Sequence, residues 1–288
     1  MILLTLDEKK NLFNENNKSF CVLPFLHLFV ATNGDVFSCC VFSNLNNFEN
    51  KLGNINESTI EEILNGEKFK EVRKKMIQSE LVRGCEYCYN YENSYSQSPR
   101  TSYNSQYNQI FLDEINCYSD GTLEDIRLKY IDIRFSNICN LKCRTCCPGS
   151  SSAWVSDAKK MGYSISGPSI IKSLKNDNVF SSLLKYINES VFEIYFAGGE
   201  PLITEEHYML LNHLINTGNT SIKIRYNTNF SILKYKDYNI LDLWKNFSNV
   251  TLCASLDGME KRGELIRCGL KWDNVIKNRI LLKNECPH

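Results

Sequence analysis

Ile138-Cys-Asn-Leu-Lys-Cys-Arg-Thr-Cys-Cys147 is the stretch that decides how this chain is read. Within it Cys139, Cys143 and Cys146 form a C-x3-C-x2-C triplet, directly after a strand-like run from Lys129 to Ser136. Three thiolates this close in sequence can close around one inorganic cluster. A structural zinc site is filled by four ligands, whereas three cysteines on a [4Fe-4S] cube leave one iron free to bind something else. The spacing therefore predicts an open coordination position. Two other readings compete with it. A zinc knuckle would have to borrow Cys147 or a distant cysteine, and the adjacent Cys146 and Cys147 cannot easily both face one small ion. An inert buried group is the other, although core cysteines rarely fall at such spacing.

Downstream, a second strand-like run opens onto Phe196-Ala-Gly-Gly-Glu-Pro201. The triplet and this Gly-Gly-Glu segment, in this order, resemble the signature of radical S-adenosylmethionine (SAM) enzymes. The resemblance implies that SAM chelates the open iron through its amino and carboxylate groups. It also implies that one electron from the cluster cleaves SAM to a 5'-deoxyadenosyl radical, which abstracts hydrogen from substrate. One departure is visible: the residue before the third cysteine is commonly aromatic in the family and here is Thr145. That loosens packing near adenine without removing a ligand.

The 288 residues leave room for about two domains, and 43% hydrophobic content suffices for a sizeable core. Lys+Arg 33 against Asp+Glu 33 gives no electrostatic case for nonspecific binding of nucleic acid or membrane. The start, Met-Ile-Leu-Leu-Thr-Leu-Asp-Glu-Lys-Lys, does not read as a signal peptide, and no stretch approaches the roughly 18 apolar residues of a membrane span. A cytoplasmic location follows as the expectation, with the 13 cysteines serving as metal ligands rather than bridges.

Residues 1–18 are polar and Asn-rich and read as a loose arm. In 19–91, Phe25 to Ala31 and Val36 to Val41 are β-rich runs joined by Thr32-Asn33-Gly34-Asp35, a hairpin signal because Asn-Gly tolerates the positive φ of a tight turn. Cys21 and Cys39 lie near the hairpin ends, and Cys85 and Cys88 form a later C-x2-C. Together these are four ligands, a complete set for a closed [4Fe-4S] cluster or for one zinc ion. Cys39 rather than Cys40 is expected to face the metal, since strand neighbours point to opposite faces. The spacing Cys21-x12-Gly34-x4-Cys39 is similar to the opening of SPASM and twitch auxiliary-cluster domains, which usually follow the barrel and here precede it. Ser58-Thr-Ile-Glu61 reads as a capping box opening a helix that Gly66 stops, with a charged helix from Glu67 to Ser79. Residues 92–127 read as a linker, Ser-, Asn- and Tyr-rich over 92–120 with little periodicity.

From 128 to 288 strands alternate with helical stretches, the pattern of a parallel α/β barrel. Strands are predicted at Lys129 to Phe135, Phe192 to Ala197, Ile222 to Asn227 and Val250 to Ser255. Helices are predicted near Ser151 to Met161, Ser181 to Ile187, Glu205 to Thr217 and Asn239 to Lys245. The fold class is thus α/β, a partial barrel with four βα units where the resembled family has about six, preceded by a small α+β metal-binding domain. A fragment and a naturally shortened barrel both fit. Strand alternation predicts an apolar set packed under the helices and an opposite set, Asp132 and Arg134, Glu193 and Tyr195, Lys223, Arg225 and Asn227, then Thr251, Cys253 and Ser255, facing an open, hydrated lumen; charge pairing such as Asp132 with Lys223 is the alternative for its lower layer. The upper layer of that lumen, Arg134, Tyr195, Arg225 and Ser255, is expected to face SAM or substrate.

Active sites of such sheets lie beyond the carboxyl ends of the strands, where every motif above falls. The resemblance implies cofactor contacts from Gly198, Gly199 and Glu200, from Asn227, from Ser255 at the ribose and from Arg267 at the SAM carboxylate, with Arg262 competing for that last role. No catalytic residue is assigned. His207 and His213 lack the H-E-x-x-H spacing of a zinc protease, and neither a G-x-S-x-G elbow nor a P-loop is present. The resulting expectation is a radical SAM enzyme with a second, auxiliary [4Fe-4S] cluster, acting on a polar substrate such as a peptide or protein side chain. It would draw on an electron donor such as a flavodoxin or ferredoxin. The alternative is a noncatalytic iron-sulfur or zinc protein derived from a truncated barrel.

Overall fold

The computed structural model describes residues 2–42, 51–95, 97–165 and 167–286. Part of the 19–91 range (43–50) and the last two residues of the Cys286-Pro-His288 ending therefore lie outside the described residues. The chain divides into two compact units, Met1–Val30 with Asp35–Ile131 and Asp177–Ser190, and Ala31–Gly34 with Asp132–Asn176 and Val191–His288.

The first unit holds α1 (Leu6–Leu12), α2 (Leu23–Leu26), β1 (His27–Val30), β2 (Asp35–Phe37), β3 (Gly53–Asn54), α3 (Ile60–Leu64), α4 (Glu67–Ile77), α5 (Glu86–Ser94) and α6 (Pro99–Glu114). The hairpin is present but shorter than its sequence signal. Phe29 pairs with Phe37 and Val30 with Val36, and Gly34 makes the turn at φ +86°. The residues before it wind into α2 because Pro24 presets a helical φ in the first turn. The capping box that opens α3 uses Thr59 and Glu62, one residue later than the Ser58–Glu61 reading. Thr59 Oγ1 accepts from the Glu62 amide, and Glu62 Oε2 accepts from the Thr59 amide. Gly66 is then the N-cap of α4 rather than only the end of α3. Inside α4, Arg73 is wholly buried and donates to the carbonyls of Pro24, Leu64 and Gly121, which answers the cost of enclosing a guanidinium.

Two expectations of irregular chain are corrected here. The arm 1–18 carries α1, capped reciprocally by Thr5 and Glu8, with Leu12 buried and the Leu4 amide bonded to the Cys117 carbonyl. The stretch read as a linker carries the 16-residue α6, opened by a Ser98 capping box and Pro99. Its polar composition hides the aromatic anchors: Phe111 sits with Phe13, Phe20 and Phe25 in edge and tilted contacts of 4.9 to 5.6 Å. Few large side chains suffice to bury a helix when they meet other rings.

β4 (Tyr130–Ile133) begins in the first unit and ends in the second, which continues with β5 (Lys142–Cys143) and α7 (Val155–Lys160). After α8 (Asp177–Leu184), which belongs to the first unit, come β6 (Glu193–Phe196), α9 (Glu205–Asn216), β7 (Lys223–Thr228), β8 (Lys234–Tyr235), β9 (Tyr238–Asn239), α10 (Ile240–Trp244), β10 (Val250–Ala254), α11 (Glu260–Ile266), β11 (Arg267–Cys268) and α12 (Trp272–Glu285). The strand order of this sheet is β10-β7-β6-β4, with β10 parallel to β7 and β7 parallel to β6. The fold is mixed α/β with a largely parallel sheet.

Strand alternation sorts the side chains largely as expected. Ile133, Phe135, Ile194, Phe196, Ile222 and Ile224 are buried, while Phe192 precedes its strand and is 48% exposed. Val250 and Leu252 are half-buried and Ala254 is exposed because β10 is the outermost strand of this order. On the opposite face Glu193 accepts both Lys223 at 3.0 Å and Arg225 at 2.6 Å, and Arg225 lies 4.3 Å from the Tyr195 ring centre. Asp132 faces Arg134 at 3.8 Å. Charge pairing, the alternative for this layer, is present, with Glu193 rather than Asp132 as the partner of Lys223, which stands directly across the ladder from it.

Candidate metal centres

Three of the expected ligands lie on the loop that follows β4. Asn137, wholly buried, fastens its start by donating to the Pro148 and Ser169 carbonyls and accepting from the Ile171 amide. Ser151 Oγ donates to the Leu141 carbonyl at 2.7 Å, and Trp154 Nε1 to the Cys143 carbonyl at 2.8 Å. These bonds fold the loop back so that Cys139, Cys143 and Cys146 fall within electrostatic reach of one another. The adjoining Cys143 thiol and the Arg267 charge lower Cys146, while Cys146 and burial raise Cys143. Burial raises Cys139. Cys147 is exposed, with its sulfur 3.9 Å from Ser150 Oγ.

Arg267 comes to this loop by strand pairing, since β11 runs antiparallel to β5 with Arg267 opposite Cys143. Its Nη1 donates to Cys143 Sγ at 3.5 Å and its Nη2 meets Asp257 at 2.8 Å. Among the described residues no hydrogen bond or ion pair joins Arg262 to these thiols.

The Gly-Gly-Glu segment braces the same loop. The Gly199 amide donates to the Ser136 carbonyl at 3.0 Å and the Glu200 amide to the Ile138 carbonyl at 2.7 Å. A Cβ on Gly199 would stand 2.1 Å from the Ile138 oxygen, and Gly198 has φ +115°. Glu200 is buried, and its carboxylate accepts from Thr228 Oγ1, the Asn229 amide and the Leu202 amide. Burial raises its pKa against those bonds. Its oxygens are therefore engaged by the protein, and the segment places the loop. Asn227 is exposed at the end of β7, and the Ser255 amide bonds the Thr228 carbonyl. The residue that reaches the thiols from β7 is Asn229, whose Nδ2 lies 2.9 Å from Asn140 Oδ1 and 3.9 Å from Cys139 Sγ. β7 runs one residue beyond its predicted end, which carries the turn to Asn229.

In the first unit Cys21 precedes α2, Cys39 follows β2, and Cys85 and Cys88 stand at the cap and first turn of α5. Residues three apart on a helix share a face, so the C-x2-C presents both thiols together. Cys21 interacts with Cys85 and Cys88, Cys39 with Cys21 and Cys88, and Cys85 with Cys39 and Cys88. Burial is the leading cause that raises all four thiols, and repulsion from neighbouring sulfurs adds to it at Cys21, Cys39 and Cys85. Such a group accepts its thiolate charges only beside cationic metal, which fits an iron-sulfur ligand set. Among the described residues no three His, Cys, Asp or Glu side chains are gathered as a site for a single metal ion. Elsewhere Cys117 is buried and pushed up to about 12, and His207 is a buried neutral partner of Tyr226, lowered to about 3 by burial.

Residues 21–89 match the SPASM family, an iron-sulfur cluster-binding domain. No curated protein and no solved structure matches the chain. No described helix is long and apolar enough to cross a membrane.

Proposed function

We propose that this chain, whose residues 21–89 match an iron-sulfur cluster-binding domain, is a radical SAM enzyme with a SPASM-type auxiliary cluster on a polar, peptide or protein, substrate. The observation that carries this reading is the second unit's loop: Arg267 donates to Cys143 Sγ, Asn229 stands beside Cys139, and Gly199–Glu200 bond the loop's own backbone. Cys139, Cys143 and Cys146 would hold the first [4Fe-4S] cluster, and Cys21, Cys39, Cys85 and Cys88 the second. When bound, the first cluster supplies the electron for reductive cleavage of SAM. Arg267, beside Cys143 and paired with Asp257, would supply the guanidinium for the SAM carboxylate. Gly198 and Gly199 let backbone approach closely, and Asn229 presents an amide beside Cys139. Arg134, Tyr195, Arg225 and Ser255 would face SAM or substrate, and a flavodoxin or ferredoxin would serve as donor.

Anaerobic reconstitution with iron and sulfide tests this. About eight irons per chain are expected, and dithionite with SAM should yield 5'-deoxyadenosine. Replacing Cys139, Cys143 and Cys146 together by Ala should remove about half the iron and all SAM cleavage. Cleavage retained in that variant overturns the assignment. Iron bound by the wild type without any 5'-deoxyadenosine would assign the noncatalytic alternative.

A further inference from the structure

The first cysteine of the triplet sits against a closed ring of side-chain hydrogen bonds supplied by the turn after β7. Asn229 Nδ2 donates to Asn140 Oδ1 at 2.9 Å and, at 3.9 Å, to Cys139 Sγ. Asn140 Nδ2 in turn donates to Ser231 Oγ at 3.0 Å, and Ser231 gives its hydroxyl proton to Asn229 Oδ1 at 2.6 Å. Each amide of the ring both donates and accepts, so Cys139 and its neighbour Asn140 are tied to a turn about ninety residues away. The turn itself is held in an unfavourable shape. Phe230 has φ +55°, a left-handed conformation that a residue with a Cβ adopts only when its surroundings enforce it. Its amide donates to Thr228 Oγ1 at 3.0 Å, and the Thr228 hydroxyl and the Asn229 amide both donate to the buried Glu200 carboxylate at 2.7 Å. From the other side, Asn278 Nδ2 donates to the Phe230 carbonyl at 2.9 Å. Asn278 lies in the middle of α12 and is buried, where an amide is costly unless it is bonded.

We propose that Asn229 is a positioning residue for Cys139 and that Asn278, acting through the Phe230 carbonyl, is the latch that keeps Asn229 aimed, so that α12 takes part in holding the loop of the first cluster. The inference rests on the reading of Cys139, Cys143 and Cys146 as cluster ligands given above. Both amide protons of Asn229 go to Asn140 and Cys139, and its oxygen accepts from the Ser231 amide and hydroxyl, which fixes the direction of the group. Side chains that orient a ligand from behind commonly change metal affinity about 10–100-fold when lost.

Two measurements on the full chain test this. In metal-free protein, iodoacetamide alkylation of each cysteine is followed by peptide mass spectrometry, which reads Cys139 without any cluster. Asn229→Ala should raise the rate at Cys139 and leave the buried Cys88 and Cys117 unchanged. In iron-loaded protein, the electron paramagnetic resonance signal that responds to SAM should be lost to a ferrous chelator about tenfold faster. Asn229→Asp keeps the oxygen that accepts from Ser231 and lacks both donors, so it should match Asn229→Ala in both measurements. Asn278→Ala should act in the same direction and add nothing in an Asn229→Ala background, because it works through that residue. Unchanged alkylation and unchanged cluster loss in both Asn229 variants overturn the positioning role. A rise at Cys88 and Cys117 as large as that at Cys139 overturns it too, since it marks general loosening. Additive effects of Asn278→Ala and Asn229→Ala overturn the latch. A wild type without a SAM-responsive cluster, in which Asn229→Ala still alters Cys139 alone, overturns the ligand reading and leaves the positioning of Cys139 standing.

Discussion

Asp132 shows how one buried side chain sets a pH response. It is 1% exposed, and burial lifts its carboxyl from an ordinary 3.8 to about 6 against the opposing charges of Arg134 and Arg225. The folded state therefore holds this proton more tightly than the unfolded one. Protonation favours the fold, so the contribution is fully present below about pH 4 and is lost as pH rises through about 6. A displacement of this size corresponds to roughly 3 kcal/mol. Asp132→Asn is uncharged throughout, so its thermal midpoint should vary less than the wild type's between pH 4 and 6. Parallel midpoint curves for the two proteins would contradict the burial argument.

At the scale of elements, the contact that matters most is between the loop after β4 and the turn after β6. It is made by backbone alone, through the Gly199 and Glu200 amides. Gly199→Ala would put a methyl into the Ile138 carbonyl, 2.1 Å away, where no flexible side chain can yield. Overpacking of that kind costs about 1–3 kcal/mol, and here the displaced backbone adjoins Cys139. Iron held by Cys139, Cys143 and Cys146 should fall in Gly199→Ala while that of the first unit persists, as counted by iron analysis. Full occupancy of both would show that the turn does not place the loop.

At the scale of the molecule, the four thiols of the first unit are raised by burial and gain their ionised form most readily beside metal, so loading and folding are linked. Ligand present at about a thousand times its dissociation constant stabilises by about 4 kcal/mol, enough to move a thermal midpoint by several degrees. Iron-loaded protein should therefore melt higher than the anaerobically chelated form. Cys39→Ser should lower the loaded midpoint and leave the chelated one nearly unchanged. Equal midpoints with and without iron would remove the linkage.

The local pattern determined a good deal. The C-x3-C-x2-C spacing, the glycine pair, the Asn-Gly hairpin and the alternation of β6 and β7 are short-range signals, and each corresponds to an element or turn of the structure. They are legible because period and turn chemistry act over a few residues. Tertiary contacts decided the rest. The helices in residues 1–18 and 92–127 have polar sequences and become stable through rings such as Phe13 and Phe111 that find partners far along the chain. Arg267 reaches Cys143 through pairing across more than a hundred residues, and Asn104 reaches the flanks of Cys21 across about eighty. Glu200 turned out to be occupied by Thr228 and Asn229, a fact set by where β7 ends beside it. Spacing reveals which residues share a turn, whereas which turns meet is set by the packing of the whole unit, where burial and hydrogen bonding are satisfied together.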